Sequence, residues 1–294
     1  TTKPTFEELF ESAINYPDPD MQERLSALVG LDEHKSQLSK TLGILVNEEG
    51  IKTWSKNHHP KAKKIVSMIL RRPPLIVLEG DVGCGKSELA YTIADAVARQ
   101  EKIDVTLFPL SLATRGQGRV GQMTQLISAA FGYTIEKAQK LKAQSGKSRG
   151  AVILLVDEAD ALAQSRENSQ MHHEDKAGVN AFIRGVDSLG NGKLPAAVIM
   201  CTNRLGALDP AIKRRAAEIL HFKRPNELQR HSALNTPLTE LGFTREQVNE
   251  MVTLTGENAS RDHGFTFSDL TQRLIPAIVL DAYPNESVNA AAAM

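Results

Sequence analysis

The chain has 294 residues, 41% of them hydrophobic and 24% charged, which is typical of a globular protein with a sizeable core. Its 35 Lys and Arg residues balance 35 Asp and Glu residues, so it lacks the basic excess expected of a dedicated nucleic-acid binder. Two cysteines exclude a disulfide framework, and no apolar run reaches membrane-spanning length. Together with a polar, acidic start, these features predict a cytoplasmic protein.

The chain begins with a predicted amphipathic helix over residues 5–16. Thr5 is its expected N-cap, and Glu8 three residues later completes a capping box. Pro17 and Pro19 are expected to end this helix and to mark a linker.

A second helix is predicted over residues 31–49, with Leu38, Leu42 and Leu45 on one face. The basic stretch that follows, 57–74, is interpreted as a solvated helix face rather than a nucleic-acid surface.

From residue 75 the pattern changes to short apolar runs separated by longer polar stretches. The runs are Leu75–Leu78, Val105–Leu110, Ala151–Val156 and Ala196–Cys201, with a fifth candidate at Glu218–Phe222. Such runs are typical of parallel strands that are buried on both faces, and their alternation with helices predicts a doubly wound α/β sheet.

Beyond Pro225 no strand pattern remains. Residues 226–283 are predicted to form three or four helices, cut by Pro237, Gly242, Gly256 and Gly264. The predicted organisation is therefore an N-terminal helix and linker (1–24), a large α/β domain (25–225) and a small helical domain (226–294).

A phosphate-binding loop directly follows the first strand. Gly80-Asp-Val-Gly-Cys-Gly-Lys86-Ser87 fits the pattern G-x-x-x-x-G-K-[ST] in full. Its glycines let backbone N–H groups surround phosphate oxygens at a helix N-terminus. Lys86 is expected on the terminal phosphates and Ser87 on Mg²⁺. The residues expected to bind ATP here are Gly80, Val82, Gly83, Cys84, Gly85, Lys86, Ser87 and Glu88.

Two further strands end in polar side chains. The run from Val152 ends in Asp157 and Glu158, and the run from Ala196 is followed by Asn203. Ligands of open α/β sheets bind at the carboxyl edge, where these residues should lie. Asp157 is predicted to hold Mg²⁺, Glu158 to polarise the attacking water, and Asn203 to bond the γ-phosphate or that water.

Two arginines, Arg214 and Arg215, close the segment before the last strand. An exposed arginine pair is often only a solvated surface. The functional alternative is an arginine finger, offered to the γ-phosphate bound by a neighbouring subunit. The sequence does not decide which of the two would act.

These four signals, in this order, resemble the AAA+ ATPases. The resemblance covers about residues 25–283 and implies a five-stranded sheet of order 5-1-4-3-2, a helical lid and a homo-hexameric ring. It further implies that Val29 and Gly30 lie in the segment that contacts adenine. Family members carry a lid arginine at the position where this chain has Ser268; Arg273 is a possible substitute.

A narrower resemblance is to the pachytene-checkpoint remodellers, which unfold part of HORMA-domain proteins. It is carried by Val179–Asp187, with the letters VNAFIRGVD, and by Arg215–Glu218. Bacterial relatives occur in antiphage operons that make cyclic nucleotides. Eukaryotic members have a sizeable N-terminal domain, for which the 25 or so residues here are too few, so a compact bacterial member is expected.

The loop after the second strand is predicted to face the central pore. Its residues Arg115, Gly116, Gln117, Gly118 and Arg119 would grip a polypeptide, although many AAA+ threaders use an aromatic residue there. The same stretch also matches G-x-G-x-x-G, but no acid follows at the spacing that a dinucleotide site requires.

The sequence thus predicts an ATP- and Mg²⁺-dependent AAA+ ATPase that remodels a protein partner, with a HORMA-domain protein as the expected target. Two alternatives stay open: a nucleic-acid-dependent motor of the clamp-loader or helicase type, which the neutral net charge disfavours, and a scaffold that binds ATP only to assemble.

Overall fold

The structure is a computed structural model that describes residues 4–112, 122–163, 173–204, 206, 208–259 and 261–293. The chain divides into two compact units. The first comprises the described parts of Thr1–Leu25, Glu33–Glu79 and Ser87–His221, and the second those of Ser26–Asp32, Gly80–Lys86 and Phe222–Met294.

Six strands form one mixed sheet. They are β1 (Ile14–Tyr16), β2 (Leu75–Gly80), β3 (Asp104–Ser111), β4 (Gly150–Asp157), β5 (Ala196–Thr202) and β6 (Ala216–Phe222), in the order β1-β3-β4-β5-β2-β6. The pairs β3–β4, β4–β5 and β2–β5 are parallel. The α/β fold class is therefore confirmed. The five strands other than β1 follow the predicted order 5-1-4-3-2, but the whole sheet differs from the prediction in strand count and order.

The sheet has one strand more than predicted, because the expected helix over residues 5–16 ends early. Thr5 caps helix α1 (Phe6–Leu9) with the predicted capping box to Glu8. The chain then becomes extended, and β1 pairs antiparallel with β3 at the sheet edge. The prediction of a continuous helix was wrong because a free strand edge offers Ile14–Tyr16 backbone hydrogen bonds that the local sequence pattern does not reveal.

Helices precede and connect the strands. In chain order they are α2 (Pro19–Ala27), α3 (Asp32–Val46), α4 (Glu48–His58), α5 (Lys63–Leu70), α6 (Lys86–Glu101), α7 (Gln122–Leu141), α8 (Asp160–Ala163), α9 (His173–Asn191), α10 (Pro210–Arg215), α11 (Glu227–Glu240), α12 (Arg245–Leu254), α13 (Ile275–Ala282) and α14 (Ala290–Ala293). The leucine-bearing helix predicted over 31–49 is α3, which buries Leu38 and Leu42 and leaves Leu45 half-buried.

The sheet is covered on both faces. Val152, Leu154 and Val156 of β4 pack in one apolar core with residues of α7 and α9, such as Phe131 and Phe182. The alternate residues of β4, which point the other way, are equally buried. This double burial explains the continuous apolar runs in the sequence.

The second unit has its own apolar core, which includes Leu234, Leu238, Val248 and Met251. It contains α11, α12, a π-helical segment (Asp269–Leu274) and α13, so the helices predicted beyond Pro225 are confirmed. Pro237 was expected to cut a helix, but it lies inside α11. The predicted domain boundaries stay predictions. Within the described ranges, no helix has both the length and the apolarity needed to cross a membrane.

Candidate functional site

In the first unit, polar side chains gather at the carboxyl ends of β3, β4 and β5. Strand β4 is buried up to Val156 and ends in Asp157. The hydroxyl of Ser87, in the first turn of α6, donates to Asp157 Oδ1 over 3.1 Å. An adjacent hydroxyl and carboxylate are the hard oxygen donors that Mg²⁺ prefers, so the residues present fit the predicted ion.

Glu158 is held by its backbone and by its side chain. Its φ of +52° lies in the left-handed region, which costs a non-glycine residue roughly 1–2 kcal/mol. Its N–H donates to Asp157 Oδ1 at 2.8 Å, and its Oε2 accepts from the hydroxyl of Ser111 at 2.6 Å. Ser111 ends β3 and is paired in register with Asp157, so the parallel sheet places it beside the carboxylate.

Asp160 orients Asn203. Its Oδ1 accepts from the hydroxyl of Thr202 at 2.8 Å and from the backbone N–H of Asn203 at 2.7 Å. Its Oδ2 lies 3.4 Å from the Asn203 amide nitrogen. The turn after β5 is therefore bonded to the start of α8, and these bonds hold the predicted sensor at the carboxyl end of β5.

Helix α6 contributes two further ionisable residues, Tyr91 and Glu88. Burial raises the pKa of Tyr91, and the negative charge of Asp157 raises it further, so the phenol is neutral at pH 7. Glu88 was predicted to contact nucleotide. Its carboxylate forms a two-pronged ion pair with Arg24, both bonds 2.8 Å long, which leaves its backbone N–H as the group suited to phosphate.

The two candidate finger arginines differ in their surroundings. Arg215 makes a two-pronged ion pair with Asp187 of α9, at 2.7 and 2.9 Å, and also donates to the carbonyl of Ala211. Arg214 is exposed, and its side chain makes no hydrogen bond or ion pair within the described part of the chain. This geometry favours Arg214 as the residue available to a neighbouring subunit.

Residues quoted above for the narrower resemblance have local structural roles. Asp187 is the partner of Arg215. Gly185 faces the ring of Phe131, and a Cβ there would lie 2.3 Å from two ring atoms, so glycine permits the close packing of α7 on α9. Glu218 accepts hydrogen bonds from Thr41 and Gln37 of α3.

In the second unit, the phosphate-binding loop holds its lysine in place. Lys86 is 5% exposed, and its Nζ donates to the carbonyls of Gly80 and Asp81 at 2.8 and 2.7 Å. These two bonds hold the ammonium against the loop. Such preorganisation lowers the ordering cost of binding a phosphate.

Side chains and backbone from the rest of this unit support the same loop. Arg224 donates to Asp81 Oδ2 at 2.8 Å and to the carbonyl of Gly264 at 2.9 Å. The backbone N–H of Ser268 donates to the Gly83 carbonyl. Gly83 has φ +77°, and a Cβ there would lie 2.7 Å from the Thr266 hydroxyl, so conformation and space both require glycine.

Ser268 stands at the position of the family's lid arginine, and Arg273 was its suggested substitute. Ser268 contacts the loop through its backbone, while its hydroxyl donates to Gln272. Arg273 lies in the π-helical segment with its side chain 81% exposed, 3.5 Å from Asp269.

The predicted adenine segment belongs to the second unit. The carbonyl of Gly30 accepts from the amide of Gln229 at 2.7 Å, and Val29 is 43% exposed. Val82 is exposed, whereas Cys84 is buried, which raises the pKa of its thiol. The predicted pore residues Arg115, Gly116, Gln117, Gly118 and Arg119 lie outside the described residues.

Sequence reasoning missed two supporting residues, Ser111 and Arg224, and the orienting role of Asp160. Ser111 follows an apolar run as Asp157 does, so the end of β3 carried a detectable signal. Arg224 carried no such signal in the sequence, because its partners Asp81 and Gly264 are distant from it along the chain.

Comparisons with known proteins show which family this chain resembles. Residues 76–224 match the ATPase family associated with various cellular activities (AAA). CD-NTase-associated protein 6 of Escherichia coli MS 115-1 is 67% identical over 292 residues, which are 99% of this chain and 94% of that protein.

Two solved structures are also similar. A chain of the E. coli MS115-1 HORMA:CdnC:Trip13 complex has a TM-score of 0.91 at 65% identity, with 99% of this chain and 95% of that chain covered. Rhizobiales Trip13 has a TM-score of 0.75 at 56% identity, with 97% and 95% covered. With a family match over half its length and a relative this similar across nearly all of it, the chain belongs to the AAA ATPase family.

Proposed function

We propose that this protein hydrolyses ATP and uses the energy to remodel a HORMA-domain protein within a bacterial antiphage system. The proposal that the protein hydrolyses ATP rests on two carboxylates that are held by hydrogen bonds. Asp157 accepts a hydrogen bond from Ser87, and Glu158 accepts one from Ser111 at 2.6 Å. A scaffold that only binds ATP has no need of a positioned base. The proposal that the partner is a HORMA-domain protein is supported by the similarity to the chain in the HORMA:CdnC:Trip13 complex.

In this proposal the β- and γ-phosphates bind the N–H groups of the loop from Gly80 to Glu88 and the ammonium of Lys86. Ser87 and Asp157 hold Mg²⁺, which when bound neutralises charge on the phosphate oxygens. Val29 and Gly30 contact adenine.

Hydrolysis needs a water aligned with the γ-phosphorus. The Glu158 carboxylate accepts a hydrogen bond from this water and takes its proton as the oxygen attacks. Asn203, oriented by Asp160, donates its amide N–H to the γ-phosphate. The bond between the γ-phosphorus and the bridging oxygen breaks, and ADP leaves with the negative charge on that oxygen. Inorganic phosphate is the second product, and the proton taken by Glu158 is released to solvent.

The rate of this step depends on a second subunit. Arg214 of a neighbouring copy supplies positive charge to the γ-phosphate in a homo-hexamer, which is worth about 10³–10⁵ in rate. The loop residues Arg115 to Arg119 contact the polypeptide substrate in the pore. A cytoplasmic location stays a prediction.

The test is the steady-state ATPase rate with and without a HORMA-domain protein from the same operon. Glu158→Gln is the blank, and Glu240→Lys, an exposed change on α11, is the matched control. We expect turnover that rises with the partner and vanishes in the blank. Equal rates for wild type and blank would support the scaffold, and stimulation by DNA instead of the partner would support a nucleic-acid motor.

A further inference from the structure

Helix α5 has an unusually exposed apolar surface. Five of its eight residues are apolar, from Ile65 to Leu70, yet none is buried. Ile65 is 60% exposed and Met68, three residues later on the same face, is 69% exposed. A helix that buries none of its apolar residues in its own chain is typical of one covered by a partner.

The surroundings of α5 are strongly basic. Between Lys52 and Arg72 the chain has seven Lys and Arg residues and no acid. The opposite face of α5 lines a cavity of about 870 Å³ with an apolar floor that includes Val66 and Leu70. We call helix α5 together with this cavity the α5 surface.

Several cations of this surface lack counter-ions. Four cationic side chains that line the cavity make no hydrogen bond or ion pair within the described part of the chain: Lys56, Lys63, Arg71 and Lys193. The two acids of the lining are already paired, Glu48 with Lys52 and Asp187 with Arg215. The α5 surface therefore fits an occupant that is both apolar and acidic.

The second unit carries a segment of that chemistry. From Val279 to Glu286, at the end of α13, the letters VLDAYPNE contain two acids and no base. Leu280 is 68% exposed and Tyr283 71% exposed. Asp281 and Glu286 are exposed, and their side chains have no ionic partner in the described residues. We call Val279–Glu286 the acidic segment.

We infer that the acidic segment of one copy docks on the α5 surface of the next copy. Leu280 and Tyr283 then cover the exposed apolar residues of α5, while Asp281 and Glu286 pair with the unpaired lysines and Arg71. Because the two surfaces differ, the contact is head-to-tail, and such a contact closes into a ring or continues as a spiral. The inference rests on the proposed homo-hexamer and names surfaces that hold it together.

Charge reversal tests this pairing. One variant carries Lys63→Glu and Arg71→Glu, the other Asp281→Lys and Glu286→Lys, and Glu240→Lys is again the control. Assembly is measured by analytical ultracentrifugation with a non-hydrolysable ATP analogue, after circular dichroism has verified folding. Each variant alone should need about tenfold more protein to assemble, because attractive pairs become repulsive.

An equal mixture of the two variants should assemble like wild type, as should one chain carrying all four changes, because every junction then joins opposite charges. If the wild type assembles and the separate variants do so equally well, the inference is overturned while the hexamer stands. If the α5 variant assembles but no longer binds the HORMA-domain protein, the occupant is that partner, and the inference is again overturned. A wild type that never assembles would refute both.

Discussion

Replacing Ser111 by alanine should slow ATP hydrolysis without weakening ATP binding. The Ser111 hydroxyl donates to Glu158 Oε2 at 2.6 Å. Glu158 has a left-handed backbone and an exposed side chain, so little else holds the carboxylate in one orientation. Once the bond is lost, the carboxylate samples positions from which it does not reach the attacking water.

The magnitude follows from one hydrogen bond to a charged acceptor. Such bonds contribute about 1.5–3 kcal/mol when buried, and solvent exposure here reduces this to about 1–2 kcal/mol. Lost from the transition state alone, that lowers kcat by about 5- to 30-fold. Since Ser111 is placed beside Glu158 rather than in the phosphate-binding loop, KM for ATP and the Kd for ADP should stay within about twofold.

The assay is steady-state phosphate release across ATP concentrations, alongside fluorescent-ADP titration. Ser111→Thr keeps the hydroxyl and should retain most of the activity. Ser188→Ala removes a comparable exposed hydroxyl, one that bonds only the Arg184 carbonyl, and should be neutral. Unchanged kcat in Ser111→Ala, or a change confined to KM, would refute the view that Ser111 positions the base.

Three other predictions concern the remaining site and the stability of the units. Arg214→Ala should lower kcat by about 10³-fold or more at unchanged ADP affinity, whereas Arg215→Ala, which breaks the Asp187 ion pair, should mainly lower Tm, by about 2 °C. Hydrogen bonds from the Thr266 backbone and hydroxyl lower the pKa of Asp269 below its ordinary 3.8, so its stabilisation is complete above that value and is lost as pH falls through the lower folded pKa. The Tm difference between wild type and Asp269→Asn should accordingly shrink from pH 6 to pH 3 by differential scanning fluorimetry. Cys84 and Cys201 are both buried, and burial raises the pKa of Cys84. Iodoacetamide at pH 7.5 should label neither thiol in the native protein and both in urea, as read by mass spectrometry.

Much of the fold followed from local patterns. Buried parallel strands require continuous apolar runs, so the order of strands and helices was readable. The prediction failed at Ile14–Tyr16, where pairing to a distant edge strand outweighed helical periodicity, and at Pro237, which α11 accommodates. The first failure depends on a partner strand remote in sequence, which a window of local pattern does not include.

The sequence by itself determined the chemistry: a phosphate-binding loop ending in Lys86 and Ser87, two carboxylates after a buried strand, and hence an ATPase family. Covalent spacing is sufficient for that, because a strand, loop and helix in succession place these groups. Only the tertiary structure decided which arginine is free, since Arg215 finds Asp187 on another helix. It also decided that Ser111 and Asp160 orient Glu158 and Asn203. Those contacts exist because parallel pairing brings the ends of separate strands to one edge, and the register of that pairing is a property of the folded chain.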